Sequence, residues 1–212
     1  MPDARIEIER EDGVVDAFVA YPDTPGDNPP VILLGDGRHG ATGLATEARR
    51  LSAHRFFVLV PDLKGLGAEA RREAAVACVD HLADLRGVDD TRVGVAGFGA
   101  CADAALSLAA WRSERIAAVA AYGPSRLGVR SALEIANRIN GVVRLGYTVG
   151  ITHPRAGVLE AALGLAGVPF DVEVGDGAPD GGALLDLFHR ALWPSSAAGR
   201  GPDGQGRAGL NP

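Results

Sequence analysis

Apolar and polar positions alternate between Arg5 and Arg10, with Ile6 and Ile8 set against Glu7 and Glu9. The chain then passes Glu11-Asp12-Gly13 and turns largely apolar from Val14 to Tyr21. A period of two on both sides of a Gly-containing turn predicts an antiparallel hairpin with one face in solvent. A Pro/Gly/Asp-rich loop covers residues 22–30. Beyond it, short continuous apolar runs take over, at 31–34, 56–60, 93–96 and 116–122, and 142–147 reads as the next strand. Runs of this length without alternation are the pattern of strands buried on both faces. The stretches between them carry helical spacing. Residues 42–54 place Leu44, Ala48 and Leu51 on one side, and 68–85 do the same with Ala74, Cys78, Leu82 and Leu85. Residues 156–166 and 183–192 also read as helices, while 170–174 alternate as an edge strand would. Strands alternating with helices predict an α/β fold, a mainly parallel sheet with helices on both faces, preceded by the antiparallel hairpin. One domain is predicted over residues 1–193. From Pro194 to Pro212 Gly, Ser, Ala and Pro dominate without an apolar pattern, which predicts a disordered tail.

Composition narrows the function. The 212 residues suit one domain with a full core, and 47% hydrophobic with 23% charged residues is ordinary for a soluble globular chain. A net charge of −6, with only six Phe, three Tyr and two Trp, offers neither a basic footprint nor a stacking platform for nucleic acid. Two cysteines, Cys78 and Cys101, are too few for a disulfide framework. The start, Met1-Pro2-Asp3-Ala4-Arg5, lacks the apolar core of a signal peptide, and no apolar run is long enough for a bilayer. The expectation is a cytoplasmic protein without membrane or nucleic-acid partners. Neither H-E-x-x-H nor C-x-x-C occurs, so no metal is expected. The glycines at 94, 97 and 99 do not form G-x-G-x-x-G, and no acid is placed for a ribose, so no dinucleotide or other cofactor is expected. Nothing in the sequence sets an oligomeric state.

The chemistry-bearing stretch is 91–108, Thr-Arg-Val-Gly-Val-Ala-Gly-Phe-Gly-Ala-Cys-Ala-Asp-Ala-Ala-Leu-Ser-Leu. It predicts a buried strand, a sharp turn at Gly97-Phe98-Gly99, and an Ala/Leu-rich helix. A strand turning at once into a helix can hold a nucleophile on an elbow of the type G-x-S-x-G or G-x-C-x-G, beside backbone N–H groups at the helix start. Here the central position is Gly99.

Several further segments agree with that reading. Val93-Gly94-Val95-Ala96-Gly97-Phe98, Val31-Ile32-Leu33-Leu34-Gly35-Asp36, Phe57-Val58-Leu59-Val60-Pro61-Asp62-Leu63-Lys64-Gly65 and Leu159-Glu160-Ala161-Ala162-Leu163 with Gly167 occur in order. Together they resemble the dienelactone hydrolase family, from Arg5 to about Trp193. The resemblance implies the α/β-hydrolase fold and a carboxylic-ester or lactone hydrolase ancestry with a Cys-His-Asp triad. Carried over position by position, the family's cysteine falls on Gly99 and its aspartate on His153 of Gly150-Ile151-Thr152-His153-Pro154. Its histidine falls near Pro179, and its glutamate near the nucleophile on Asp36. The stretch between Gly65 and the next helix is shorter than the family's, which implies a more open pocket.

Other residues compete for roles. Cys101 falls in the first helical turn and reads as a buried structural cysteine, although a helix N-terminus lowers a thiol pKa. Cys78 reads as core. His153 sits at the end of a sheet strand, where open α/β sheets bind ligands. Asp176 and Asp180 lie in the loop that would normally bring the family's histidine. Acid and base then have exchanged positions, with His153 beside Asp180 or Asp176 and Asp36 across the pocket. A histidine oriented by a carboxylate moves protons near neutral pH. The alternative is a solvated His153 with no role. Arg38 and His39 could bind an anionic group or be exposed loop polars. Phe98 and Ala100 flank the elbow and would face a ligand there. Ser125 could bond a ligand or serve in a turn. Ser107 is mid-helix and cannot face the elbow. His54, His81 and His189 read as helix-surface residues. Three functions follow: a triad-less binder of a small molecule or partner, a lyase, isomerase or cyclase using His153 and an Asp, or a weak ester or lactone hydrolase working through a water held by His153.

Overall fold

The computed structural model describes residues 2–10, 12–24, 26–35, 41–85, 87–89, 91–124, 128–150, 156–175 and 181–193. The hairpin forms from β1 (Asp3–Arg10) and β2 (Gly13–Ala20), paired antiparallel from Asp3 opposite Ala20 to Arg10 opposite Gly13. Gly13 makes the turn at φ 128°, a value closed to residues with a Cβ. Strands β3 (Pro30–Leu34), β4 (Phe57–Pro61), β5 (Val93–Phe98), β6 (Ile116–Tyr122) and β7 (Val142–Thr148) follow, with β8 (Phe170–Gly175) at the far edge. The sheet order is β1-β2-β4-β3-β5-β6-β7-β8. Both partners of β2 run antiparallel to it, and every pairing from β4 to β8 is parallel.

The apolar runs behave as expected of strands covered twice. All five residues of β3 and all six of β5 are buried. Helices α2 (Ala68–Leu82), α3 (Ala102–Trp111), α4 (Val129–Ala136) and α5 (Ala156–Leu165) supply one core layer. Helices α1 (Ala41–Ala53) and α6 (Gly181–Leu192) supply the other. Each Leu or Ile fully withdrawn from water in these layers is worth about 1.5–3 kcal/mol. Leu33, Leu51 and Phe188 are fully buried on the α1/α6 side, and Ile32, Leu82 and Leu106 on the other. Small residues let helices approach the sheet. A Cβ at Gly94 would stand 2.7 Å from the Phe188 ring of α6. One at Gly97 would overlap the carbonyl oxygen of Cys101 and stand 2.7 Å from Ala105 Cβ.

The structure departs from the sequence expectation in three places. Helix α4 has no counterpart in it; Gly128 enters this short helix in extended conformation, Arg130 Nε pairs with Glu134 Oε1 at 3.0 Å one turn on, and Ala132 and Ala136 are buried. Strand β5 runs on through Gly97 and Phe98, because both pair with β6 opposite Ala121 and Tyr122. The turn therefore begins at Gly99. Helix α2 stops at Leu82, where the Ala83 N–H donates to the Asp80 carbonyl and the Asp84 N–H to the His81 carbonyl. No helix among the described residues is long and apolar enough to cross a membrane.

Candidate functional site

The elbow is built as the strand–turn–helix pattern requires. Strand β5 ends at Phe98, a single 3-10 turn occupies Gly99–Cys101, and α3 starts at Ala102. Gly99 has φ 57°, in the left-handed region. A residue with a Cβ enters that region at a cost of roughly 1–2 kcal/mol. Gly97 permits α3 to lie against the strand end, since any side chain there would meet the backbone of Cys101 and Ala102. Gly123, just past β6 at φ 77°, brings its Cα close to the elbow: a Cβ on it would be 4.0 Å from the Gly99 Cα. Gly99 thus occupies the tip of the bend with no side chain to present.

Cys101 is fully buried in the α2–α5 core layer, packed with Ala102, Ala105 and Leu106. Its position is that of a core residue at the foot of α3. Cys78 is likewise fully buried, and burial pushes its thiol pKa well above the usual range. Ser107 donates its hydroxyl back to the Asp103 carbonyl at 2.9 Å within α3. His54 and His189 lie on the α1/α6 side with ring centroids 6.2 Å apart. Burial, and then the neighbouring His54, lower the His189 pKa. Among the described residues no cluster of His, Cys, Asp and Glu could hold a metal ion.

Phe98 is committed inward. Its ring stacks on Tyr122 with centroids 5.3 Å apart and planes 4° apart, and 2% of the residue is exposed. Ala100, half-buried, lines a shallow depression of 140 Å³ with Arg71, Arg72 and Asp103, between α2 and α3. On the other side of the sheet a cleft of 160 Å³ opens beside Gly35, where β3 ends. Phe18, Leu44, Val60 and Pro61 line it, with Arg5, Asp16 and Asp62.

Asp36, Arg38, His39, Ser125, His153, Pro179 and Asp180, with Asp176, lie outside the described residues. The strand ends from which their segments continue are placed. Leu34 pairs with Gly97, Phe98 with Tyr122, and Thr148 with Gly175. The Val149 N–H donates to the Gly175 carbonyl at 2.7 Å. The segments 151–155 and 176–180 therefore continue from neighbouring, hydrogen-bonded strand ends.

A polar group beneath these ends was not among the sequence candidates. Arg144, in the middle of β7, is 9% exposed and donates from Nε to Asp171 Oδ1 at 2.9 Å and from Nη2 to Asp171 Oδ2 at 2.6 Å. This bidentate pair holds the Asp171 carboxyl below the ordinary carboxylate range and raises the guanidinium pKa. Tyr122 lies beside it, its hydroxyl pKa raised first by burial and then by Glu173. Nearby, Arg50 Nη2 bonds both Glu47 Oε1 and the Gly181 carbonyl at 2.5 Å, tying α1 to the start of α6. The available signal was a lone arginine inside the apolar run Val142-Val143-Arg144-Leu145. A charge inside a strand covered on both faces needs a partner.

No protein-family model matches the chain, and no curated protein sequence matches it. Solved structures do. A dienelactone hydrolase-like promiscuous phosphotriesterase from metagenomic libraries superposes with a TM-score of 0.74 at 15% identity, covering 91% of this chain and 99% of that one. An acetyl xylan esterase from Paenibacillus sp. R4 gives 0.72 at 14% identity, over 90% of this chain and 84% of the esterase. Est1E from Butyrivibrio proteoclasticus gives 0.71 at 11% identity, over 89% and 98% of the two chains. At these identities the likeness establishes the fold: this is an α/β-hydrolase-fold chain, structurally similar to dienelactone hydrolase-like proteins and esterases.

Proposed function

We propose that this chain is a dienelactone hydrolase-like protein that has kept the scaffold and lost covalent ester hydrolysis, and that it binds a small molecule or a partner at the C-terminal ends of its parallel strands. The observation that carries the reading is Gly99, at φ 57° on the tip of the elbow. Nucleophilic catalysis needs an Oγ or Sγ at that point with a base within hydrogen-bond reach. Glycine supplies no atom, and the nearest thiol, Cys101, is turned into the core. The sequence carry-over supports the same conclusion at the other triad positions, where His153 and Pro179 stand for the family's aspartate and histidine. The retained fold does not by itself argue for retained chemistry, since function sits in the site rather than in the scaffold.

A second reading draws on the Val149–Gly175 hydrogen bond. It starts the segments bearing His153 and Asp176 or Asp180 side by side, a favourable origin for a His–Asp pair. With Asp36, that pair would serve a lyase, isomerase or cyclase by general acid–base catalysis, or hold a water for weak ester hydrolysis. Turnover of p-nitrophenyl acetate separates the hydrolytic arm of this second reading from the first. The non-hydrolytic binder gives the rate of buffer, and His153→Ala leaves it there. A rate above buffer that His153→Ala abolishes would establish water-mediated hydrolysis and overturn the first reading.

A further inference from the structure

Tyr122, Gly146 and Glu173 face one another across three neighbouring strands, since Tyr122 pairs with Gly146 and Gly146 with Glu173. Arg144 and Asp171 form the preceding same-face pair. Their side chains project toward α1 and α6, because the alternate residues Val143, Leu145 and Tyr147 belong to the opposite core layer. The Tyr122 ring lies flat over Gly146: a Cβ there would overlap the ring, 2.7 Å from Cε1. The hydroxyl therefore reaches past β7 toward the space bounded by Arg144, Asp171 and Glu173. Tyr122 and Arg144 are 8% and 9% exposed, yet Tyr122 Oη and Arg144 Nη1 have no hydrogen-bond partner among the described residues.

We propose that Tyr122 Oη and Arg144 Nη1 line a polar niche on the α1/α6 face of the sheet that binds one ordered water molecule. The Arg144 Nη1–H donates to the water, the Tyr122 hydroxyl bonds it, and the acidic row of Asp171 and Glu173 accepts from it. Leaving a phenol and a guanidinium edge buried and unpaired costs the full desolvation of each, and internal waters form about three bonds to such groups. Two donors alone would also suit an anion. The local charge decides against one, because Asp171 already neutralises Arg144 through two bonds and Glu173 adds a further negative charge close by. The water holds the Tyr122 ring in the Gly146 slot, and the stack on Phe98 passes that constraint to the residue before the elbow.

Tyr122→Phe tests this, because it keeps the ring, the slot and the stack and removes only the hydroxyl. A hydroxyl bonded to a held water is missed when deleted, so Tm should fall by about 2–6 °C. A hydroxyl without a partner is not missed, so an unchanged or raised Tm overturns the proposal. A high-resolution crystal structure of the unmodified full-length chain gives the independent reading. One water-sized peak within hydrogen-bond distance of both atoms supports the proposal. A direct Tyr122–Arg144 bond, no peak, or bromide taking the position in soaked crystals would overturn it.

Discussion

Gly97→Ala is expected to cost about 3 kcal/mol or more of stability, at or above the upper end of what overpacking usually costs. The methyl group would meet backbone, the carbonyl oxygen of Cys101 and the Cα of Ala102, which a rotamer change cannot move aside. Relief requires α3 to lift from the strand end. That would open a layer in which Ala102, Ala105 and Leu106 are fully buried. For a domain of this size the corresponding loss in Tm is about 6–12 °C. Gly164→Ala in α5 is the matched control. A Cβ there meets none of the described residues within 4 Å, so the helical gain of roughly 0.5–1 kcal/mol should appear undiminished. Urea midpoints of the two variants and the parent check both signs. A Gly97→Ala variant as stable as the parent would mean that the elbow is not packed as described.

The second large effect is on activity. Gly99→Cys alone should not create an esterase. At φ 57° the side chain carries a backbone cost of roughly 1–2 kcal/mol, and a thiol without a base and an orienting acid stays largely protonated. Gly99→Cys, His153→Asp and Pro179→His together rebuild the triad positions of the resemblance. They should raise lactone or activated-ester hydrolysis at least about 10³-fold over the parent, because triad members act as a unit rather than additively. Initial rates for the parent, the single and the triple variant decide it. Equal rates in the last two would show that the carry-over misplaces the base or the acid.

The fold was legible where the physical pattern admits one reading. Strands covered twice must be continuously apolar, and residues 31–34 and 116–122 are both strands. A hairpin with one wet face must alternate, and β1 does. An open edge must alternate again, and β8 does, with Asp171 and Glu173 alternating with Val172 and Val174. Helix α4 was not legible. Only eight residues long, it gives too few repeats of the helical period to stand out from the loop around it. The end of β5 was misread because Gly97 and Gly99 signal a turn, and nothing local shows that β6 keeps Gly97 and Phe98 in the ladder. At the site, the elbow and its missing side chain are plain in the sequence, since they depend on neighbours in the chain. The Tyr122–Arg144–Asp171–Glu173 group joins three strands by register, which no local pattern encodes.

The most direct test is covalent trapping of the unmodified protein, incubated with a fluorophosphonate and separately with iodoacetamide at neutral pH and read by intact mass and peptide mapping. With Gly99 at the elbow and Cys101 in the core, the folded chain should acquire no stoichiometric adduct at Cys101 or at any serine. A single rapid adduct at Cys101, matched by loss of ester turnover, would contradict the account and make the protein a working thiol esterase.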